Sequence, residues 1–316
     1  MRKETREAIA SLSDESQKLL SSRLAELSDL SREELELLDE VWGKLKPKWR
    51  QQLMYRLIEL AENNVELNFD SIFKQRLQDQ DEQVRSQAIE GLWEDEEISL
   101  ISPLIDLLEH DHSEKVQQAA ATALERFALL AEHRKLPCDY AGRISQALLA
   151  IIDDATRPVA VRRRALEAIA PMSLPRVRQS ITEAYLDGNP ELKTSAIYAM
   201  GKNCDPCWLP LLQKELDNTD AEVRYEAATA CGELEEKEAV PGLIDLTDDT
   251  DADVGMAAIQ ALGKIGGREA REHLEQCLLH QSEAVRDAAR QALHELEVTA
   301  GLLSSNSLNL GDSHDQ

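Results

Sequence analysis

Aromatic residues are scarce in this chain: 3 Phe, 4 Trp and 5 Tyr make up 4% of 316 residues. Glycine (13) and proline (10) are few as well. Strand-rich folds draw on aromatic and β-branched residues and need many turns, so both shortages argue against β-sheet. Basic residues are also short, 35 Lys+Arg against 60 Asp+Glu, for a formal net charge of -25. A chain this acidic repels phosphate backbones, which disfavours nucleic acid as a partner. Long apolar runs are missing too. The longest, Ala147 to Ile152, is far below the ~20 residues needed to span a bilayer, so no membrane insertion is expected. Residues 1–30 hold no apolar signal segment, because Arg2, Lys3, Glu4, Arg6 and Glu7 are followed by Ser, Asp and Glu. Five cysteines (Cys138, Cys204, Cys207, Cys231 and Cys277) are an odd number in a large chain. They argue against a disulfide framework and place the expected location in the reducing cytoplasm. What dominates instead is Ala, Leu, Glu, Gln and Arg, all strong helix formers, so the expected class is all-α.

The helices repeat. Val84, Val116, Val161, Leu192, Val223, Val254 and Val285 are separated by 32, 45, 31, 31, 31 and 31 residues. Four residues after each anchor stands an alanine: Ala88, Ala120, Ala165, Ala196, Ala227, Ala258 and Ala289. Seven after it come Gly91, Ala123, Ala168, Ala199, Ala230, Ala261 and Ala292, and eight after it an apolar residue from Leu92 to Leu293. Offsets 0, 4, 7 and 8 trace one helix face, and small residues at two of them place that face very close to another helix. Gly201, Gly232 and Gly263, nine after their anchors, read as C-terminal left-handed caps. Eleven residues before the anchors an apolar residue recurs, from Phe73 to Leu274. Thirteen before, Pro103, Pro210 and Pro241 suit a first helical turn. Each repeat is therefore helix, turn, helix, and repeats that cannot cover their own apolar faces must stack.

The strings "DQDEQVRSQAIEGL", "NTDAEVRYEAATACGEL", "DTDADVGMAAIQALGKIGG" and "QSEAVRDAARQALHEL" resemble HEAT repeats of the short bacterial type also found in phycobilisome-lyase subunits. The resemblance covers residues 71–297. It implies a right-handed α-solenoid of about seven helix pairs. HEAT families often carry an Asp six residues before the residue that follows the anchor, forming a polar ladder. Asp79/Arg85 and Asp187/Lys193 fit this pattern, whereas Asp111 faces Gln117 and Asp249 faces Gly255, so the ladder reads as interrupted.

Residues 1–70 show no such register and read as an irregular helical N-terminal cap. In it Ser31 and Glu34 have capping-box spacing, and Trp49, Leu53, Leu57 and Leu60 share a face behind Pro47. Residues 1–28 read as a charged amphipathic helix, docked or mobile. Residues 298–316, rich in Ser and Asn, read as a disordered tail. The long 45-residue step holds an insertion around Phe127–Gly142, expected to lengthen one inner helix and add a loop ending near Pro137.

Charge is uneven. Residues 201–316 hold 9 basic and 24 acidic side chains, a net -15, whereas between 157 and 178 six arginines (Arg157, Arg162, Arg163, Arg164, Arg176 and Arg178) face only Glu167. That island reads either as a docking site for an acidic ligand or as internal pairing along the ladder. The polar offsets 2 and 6 of the inner helices are expected to line a concave face. The candidate binding residues are Arg162, Arg163, Arg164, Tyr198, Arg224 and Tyr225, since Arg and Tyr are enriched at binding hot spots.

Catalytic patterns are thin. Cys204-Asp205-Pro206-Cys207 lacks a second ligand pair for zinc and a thioredoxin-like setting. One His-Glu pair, His294-Glu295, is too few for the di-iron site that HEAT-repeat hydroxylases carry. "GKIGG" (263–267) follows a helix and reads as a turn rather than a phosphate loop. The expected function is a non-enzymatic scaffold or adaptor binding a protein partner, without cofactor or metal. The resemblance leaves a bilin lyase or bilin-handling chaperone as the alternative, and a DNA-repair glycosylase as a third reading that the net charge opposes.

Overall fold

Polar and apolar residues alternate with helical period nearly throughout, and the computed structural model turns that pattern into eighteen α-helices among the described residues, 2–16 and 18–309. For residues 299–309 it describes the backbone alone. The helices are α1 (Lys3–Ser11), α2 (Ser21–Leu24), α3 (Arg32–Trp42), α4 (Pro47–Asn63), α5 (Asp70–Arg76), α6 (Glu82–Gly91), α7 (Ile101–His110), α8 (Glu114–Glu132) and α9 (Cys138–Asp153). They continue with α10 (Val159–Ile169), α11 (Pro175–Leu186), α12 (Pro190–Asn203), α13 (Leu209–Glu215), α14 (Ala221–Leu234), α15 (Val240–Leu246), α16 (Ala252–Ile265), α17 (Gly267–Cys277) and α18 (Glu283–Asn309). From α5 onward they pair as seven helix hairpins, the odd-numbered helix outer and the even-numbered inner. The chain divides into two compact blocks, Met1–Ile169 and Ala170–Gln316. In the first, α4, α6, α8 and α10 stack in order; in the second, α12, α14, α16 and α18 do so. The architecture is an α-solenoid.

The anchor column is buried as its spacing requires, with Val84, Val116 and Val161 at 0% exposure. Asp81, Asn189, Asp220 and Asp251, three residues before their anchors, cap the inner helices by accepting backbone N–H bonds. The insertion falls where expected. α8 runs for 19 residues and is followed by a loop that leads through Pro137 into α9.

Three expectations change. Gly201, Gly232 and Gly263 are not caps, because they lie inside α12, α14 and α16. The positive-φ residues come three positions later, at Cys204 (φ 51), Glu235 (φ 56) and Gly266 (φ 65). The glycines are needed for approach. A Cβ on Gly201 would lie 2.8 Å from the Cα of Ala230, and one on Gly232 would lie 2.9 Å from the Cα of Ala261. The ladder, second, runs between repeats rather than within them, and it stays interrupted at Gln117, which bonds only the Asp111 carbonyl of its own repeat, and at Gly255, which has no side chain. Its acids serve the preceding repeat: Arg85 forks onto Asp111 (2.7 and 2.8 Å) and Arg224 onto Asp249 (2.7 and 2.8 Å). Each arginine also donates to carbonyls of its own repeat, Asp79 and Gln80 or Asn218 and Thr219. Lys193 pairs with Glu215 rather than Asp187, because Asn218 occupies the acid's usual place and itself donates to Glu215.

Third, the N-terminal region is more regular than its sequence. α4 stacks on α6 as an inner helix would. Its Arg50 bonds both carboxylate oxygens of Asp79 (2.9 and 2.8 Å), as Arg85 does with Asp111. α4 thus takes the place of an inner helix, with Trp49 at the anchor position. Residues 1–28 form two short helices and a 3-10 turn (Ala25–Leu27) instead of one helix, and α1 docks through fully buried Ile9. The expected tail overlaps α18 up to Asn309, and residues 310–316 lie outside the described residues.

Glu34 completes the capping box with Ser31 and also accepts from the Arg2 backbone N–H. Burial alone would raise its pKa, but those bonds and the Arg2 charge outweigh burial and hold it at about 2, against an ordinary 4.5. A depressed carboxyl pKa stabilises the fold above its unfolded value and loses that contribution as pH falls toward the folded one. Glu34→Gln is therefore expected to flatten the decline of stability between pH 4.5 and about 2, measured by denaturant melts. Asp249→Ala is expected to cost about 2–4 kcal/mol, since its partner Arg224 is then left mostly buried without its acid. Glu272→Ala, which breaks an exposed pair with Arg268, is expected to change stability by under ~0.5 kcal/mol.

Candidate functional site

The candidate residues divide by what already holds them. Arg224 is occupied by Asp249 and two carbonyls, with its side chain 14% exposed, so it ties repeats together. Arg162 donates to the Ile152 carbonyl within its own repeat. Arg164 pairs with Glu167 at 2.5 Å, one helical turn on, and is half exposed. Arg163 is engaged as well. The rest of the island follows suit. Arg157 bonds the Glu109 carbonyl, Arg176 reaches Glu183 and Arg178 reaches Asp205. Internal pairing, one of the two readings of the arginine-rich stretch, therefore accounts for its charges, although most partners lie on the same or an earlier element rather than on the next repeat.

Tyr198 and Tyr225 lie on α12 and α14, which pack side by side in the second block. Lys202 sits over the Tyr198 ring at 5.6 Å. Tyr225 is 41% exposed, uncommon for a large side chain on an inner helix. Behind these helices lies a buried polar centre. Glu215, 2% exposed, accepts bonds from Tyr185, Lys193 and Asn218. Burial would raise its pKa, yet those donors bring it below the ordinary range, while burial and the same carboxylate push Tyr185 up to about 12. Glu215 acts here as the ladder's substitute acid, bonding Lys193 at 2.8 Å.

Cys204 and Cys207 occupy the turn between α12 and α13. Cys204 supplies the left-handed cap, and Asp205 caps the following 3-10 turn (Pro206–Trp208) while accepting from Arg178. Burial raises both thiol pKa values, helped by Glu233 for Cys204 and by Asp205 for Cys207. Thiols held protonated are poor nucleophiles and poor metal ligands. Among the described residues no group of three or more His, Cys, Asp or Glu side chains is arranged to hold a metal. None of their helices is long and apolar enough to cross a membrane.

A groove of about 930 Å³, which sequence reasoning missed, opens on the first block where the loop after α1 meets α4 and the start of α6. Trp49 and Tyr55 of α4 line it, with Tyr55 61% exposed. Trp49 is fixed by a 3.0 Å bond from its indole N–H to the Leu12 carbonyl. The one available signal was α4 itself. Arg56 stands where every other inner helix has Ala or Gly, so it cannot form the same close seam.

Family-level comparison agrees with the geometry. A family model of HEAT repeats matches residues 71–138 and 209–294. No curated protein matches the chain. Among solved structures, the complex of CpcE and CpcF of phycocyanin lyase from Nostoc sp. PCC7120 is similar at 15% identity, over 90% of this chain and 96% of that one, with a TM-score of 0.52. An engineered protein is similar at 21% identity over 63% of this chain and 96% of its own, with a TM-score of 0.41. Human deoxyhypusine hydroxylase is similar at 16% identity over 93% and 97%, with a TM-score of 0.36. At such identities the likeness is one of fold. The repeat columns, the helix hairpins and the matched segments show that this chain carries HEAT repeats.

Proposed function

We propose that the chain is a non-enzymatic, cytoplasmic scaffold that binds a protein partner along the free face of its inner helices. The observation that carries this reading is the placement of aromatic side chains. In a chain with 4% aromatics, Tyr55 on α4 and Tyr225 on α14 are 61% and 41% exposed on helices whose other faces are buried. Exposed tyrosines present a large apolar body and a polar tip, the combination that binding hot spots favour. Arg163, Arg164, Tyr198 and Tyr225 remain the candidate contact residues. Arg162 and Arg224 act instead by holding the helices that present them. The acid excess of residues 201–316 keeps the scaffold soluble.

The bilin-handling alternative has the fold shared with the CpcE and CpcF complex in its favour. It requires a bound tetrapyrrole, which a protein-binding scaffold does not.

Affinity capture from the native cytosol tests the proposal. The wild-type protein is expected to retain a stoichiometric protein partner, and the Arg163→Ala, Tyr198→Ala, Tyr225→Ala triple variant to retain about tenfold less, as loss of hot-spot contacts implies. Undiminished capture by the triple variant would refute this face as the contact surface, and a co-purifying tetrapyrrole absorbance would move the assignment to bilin handling.

A further inference from the structure

The groove beside α4 is chemically unlike the rest of the chain. In a protein of net charge -25 its wall carries three cations, Lys18, Lys48 and Arg56, against Asp81 and Glu82. Asp81 is already committed, capping α6 through the Val84 N–H and accepting from Gln51 at 3.0 Å. Arg56 is held by Glu59 and Ser21. The exposed ammonium groups of Lys18 and Lys48 thus give the groove a local positive sign.

A second, independent feature points to a ligand. Gln87 lines the groove and is 7% exposed, yet its Oε1 has no hydrogen-bond partner. Buried side-chain acceptors are rarely left unsatisfied, and an orphan lining a cavity marks a position where an incoming N–H belongs. Gln51, Gln52 and Gln83 lie on the same wall. Primary amides carry both donors and an acceptor, which matches the alternating N–H and C=O of a peptide backbone. The Trp49 and Tyr55 rings supply an apolar floor.

We propose that this groove binds an extended segment of the partner protein that carries acidic side chains next to an apolar one. The backbone N–H meets Gln87 Oε1, the apolar side chain lies on Trp49 and Tyr55, and the carboxylates face Lys18 and Lys48. The inference rests on the scaffold reading and adds a site and a recognition chemistry to it.

The full-length protein is titrated, by fluorescence anisotropy, into a fluorescein-labelled peptide pool with a fixed Glu-Leu-Glu core and randomised flanks, and into a pool with a Lys-Leu-Lys core. Saturable binding of the acidic pool alone is expected, weakening as salt rises. The double variant Lys18→Glu, Lys48→Glu is expected to bind about tenfold more weakly. Gln87→Leu is expected to weaken binding without lowering the unfolding midpoint, because the acceptor it removes has no partner within the fold. No saturable binding, equal binding of the basic pool, or full affinity in the double variant would overturn the inference. Its failure is separable from that of the scaffold reading. Partner capture that depends on Arg163, Tyr198 and Tyr225 but not on Lys18 and Lys48 removes the groove alone.

Discussion

Close approach of neighbouring inner helices is the constraint on which the rest of this structure depends. Gly201 lies against Ala230 and Gly232 against Ala261, at distances that leave no room for a methyl group. A Cβ on Gly263 would likewise lie 2.8 Å from that of Ala292. The small residues at offset 7 therefore exist because a larger side chain would push adjacent repeats apart. Packing at this distance gains dispersion contacts where α12, α14, α16 and α18 meet in turn. It also sets the reach across which each arginine fork finds the acid of the following repeat. Widen the seam, and Arg224 no longer meets Asp249 at hydrogen-bonding distance.

Much of this was legible in the sequence. A 31-residue period with alanine in a fixed column has one physical reading, and the hairpins, capping box, prolines and insertion all follow from local rules. What was not legible depends on which repeat a side chain reaches. Asp111 and Gln117 look mismatched when paired within a repeat, and only three dimensions reveal that Asp111 answers Arg85. Glycines nine residues after the anchor suit a helix end equally well, so the choice between cap and close approach waited on the length of the helices. α4 escaped the register because Trp49 and Arg56 replace the small and β-branched residues by which the other inner helices are recognised. The groove beside it is built from residues distant in sequence and leaves no periodic trace.

The net charge of -25 has a similar history. Along the sequence it divides into an acidic C-terminal part and an arginine-rich stretch, which suggests a two-signed surface. In the structure those arginines hold carbonyls and carboxylates of their own and neighbouring repeats, so their charge is paired even where, as at Arg164 and Arg178, the side chain stays about half exposed. Lys18 and Lys48, by contrast, line the groove beside α4. Stability draws on the arginine forks fixed between repeats, and the proposed peptide contact draws on a separate pair of cations, Lys18 and Lys48.

The seam is tested most directly by one substitution made at two glycines. Both Gly142, exposed in α9, and Gly232, in α14, lie inside helices, where intrinsic propensity favours Ala over Gly by about 1 kcal/mol. A Cβ on Gly142 meets nothing within 4 Å, whereas one on Gly232 meets the Ala261 backbone at 2.9 Å. Denaturant unfolding is therefore expected to show Gly142→Ala stabilised by about 0.5–1 kcal/mol and Gly232→Ala destabilised by about 1–3 kcal/mol. Equal stabilisation by the two substitutions would contradict the account.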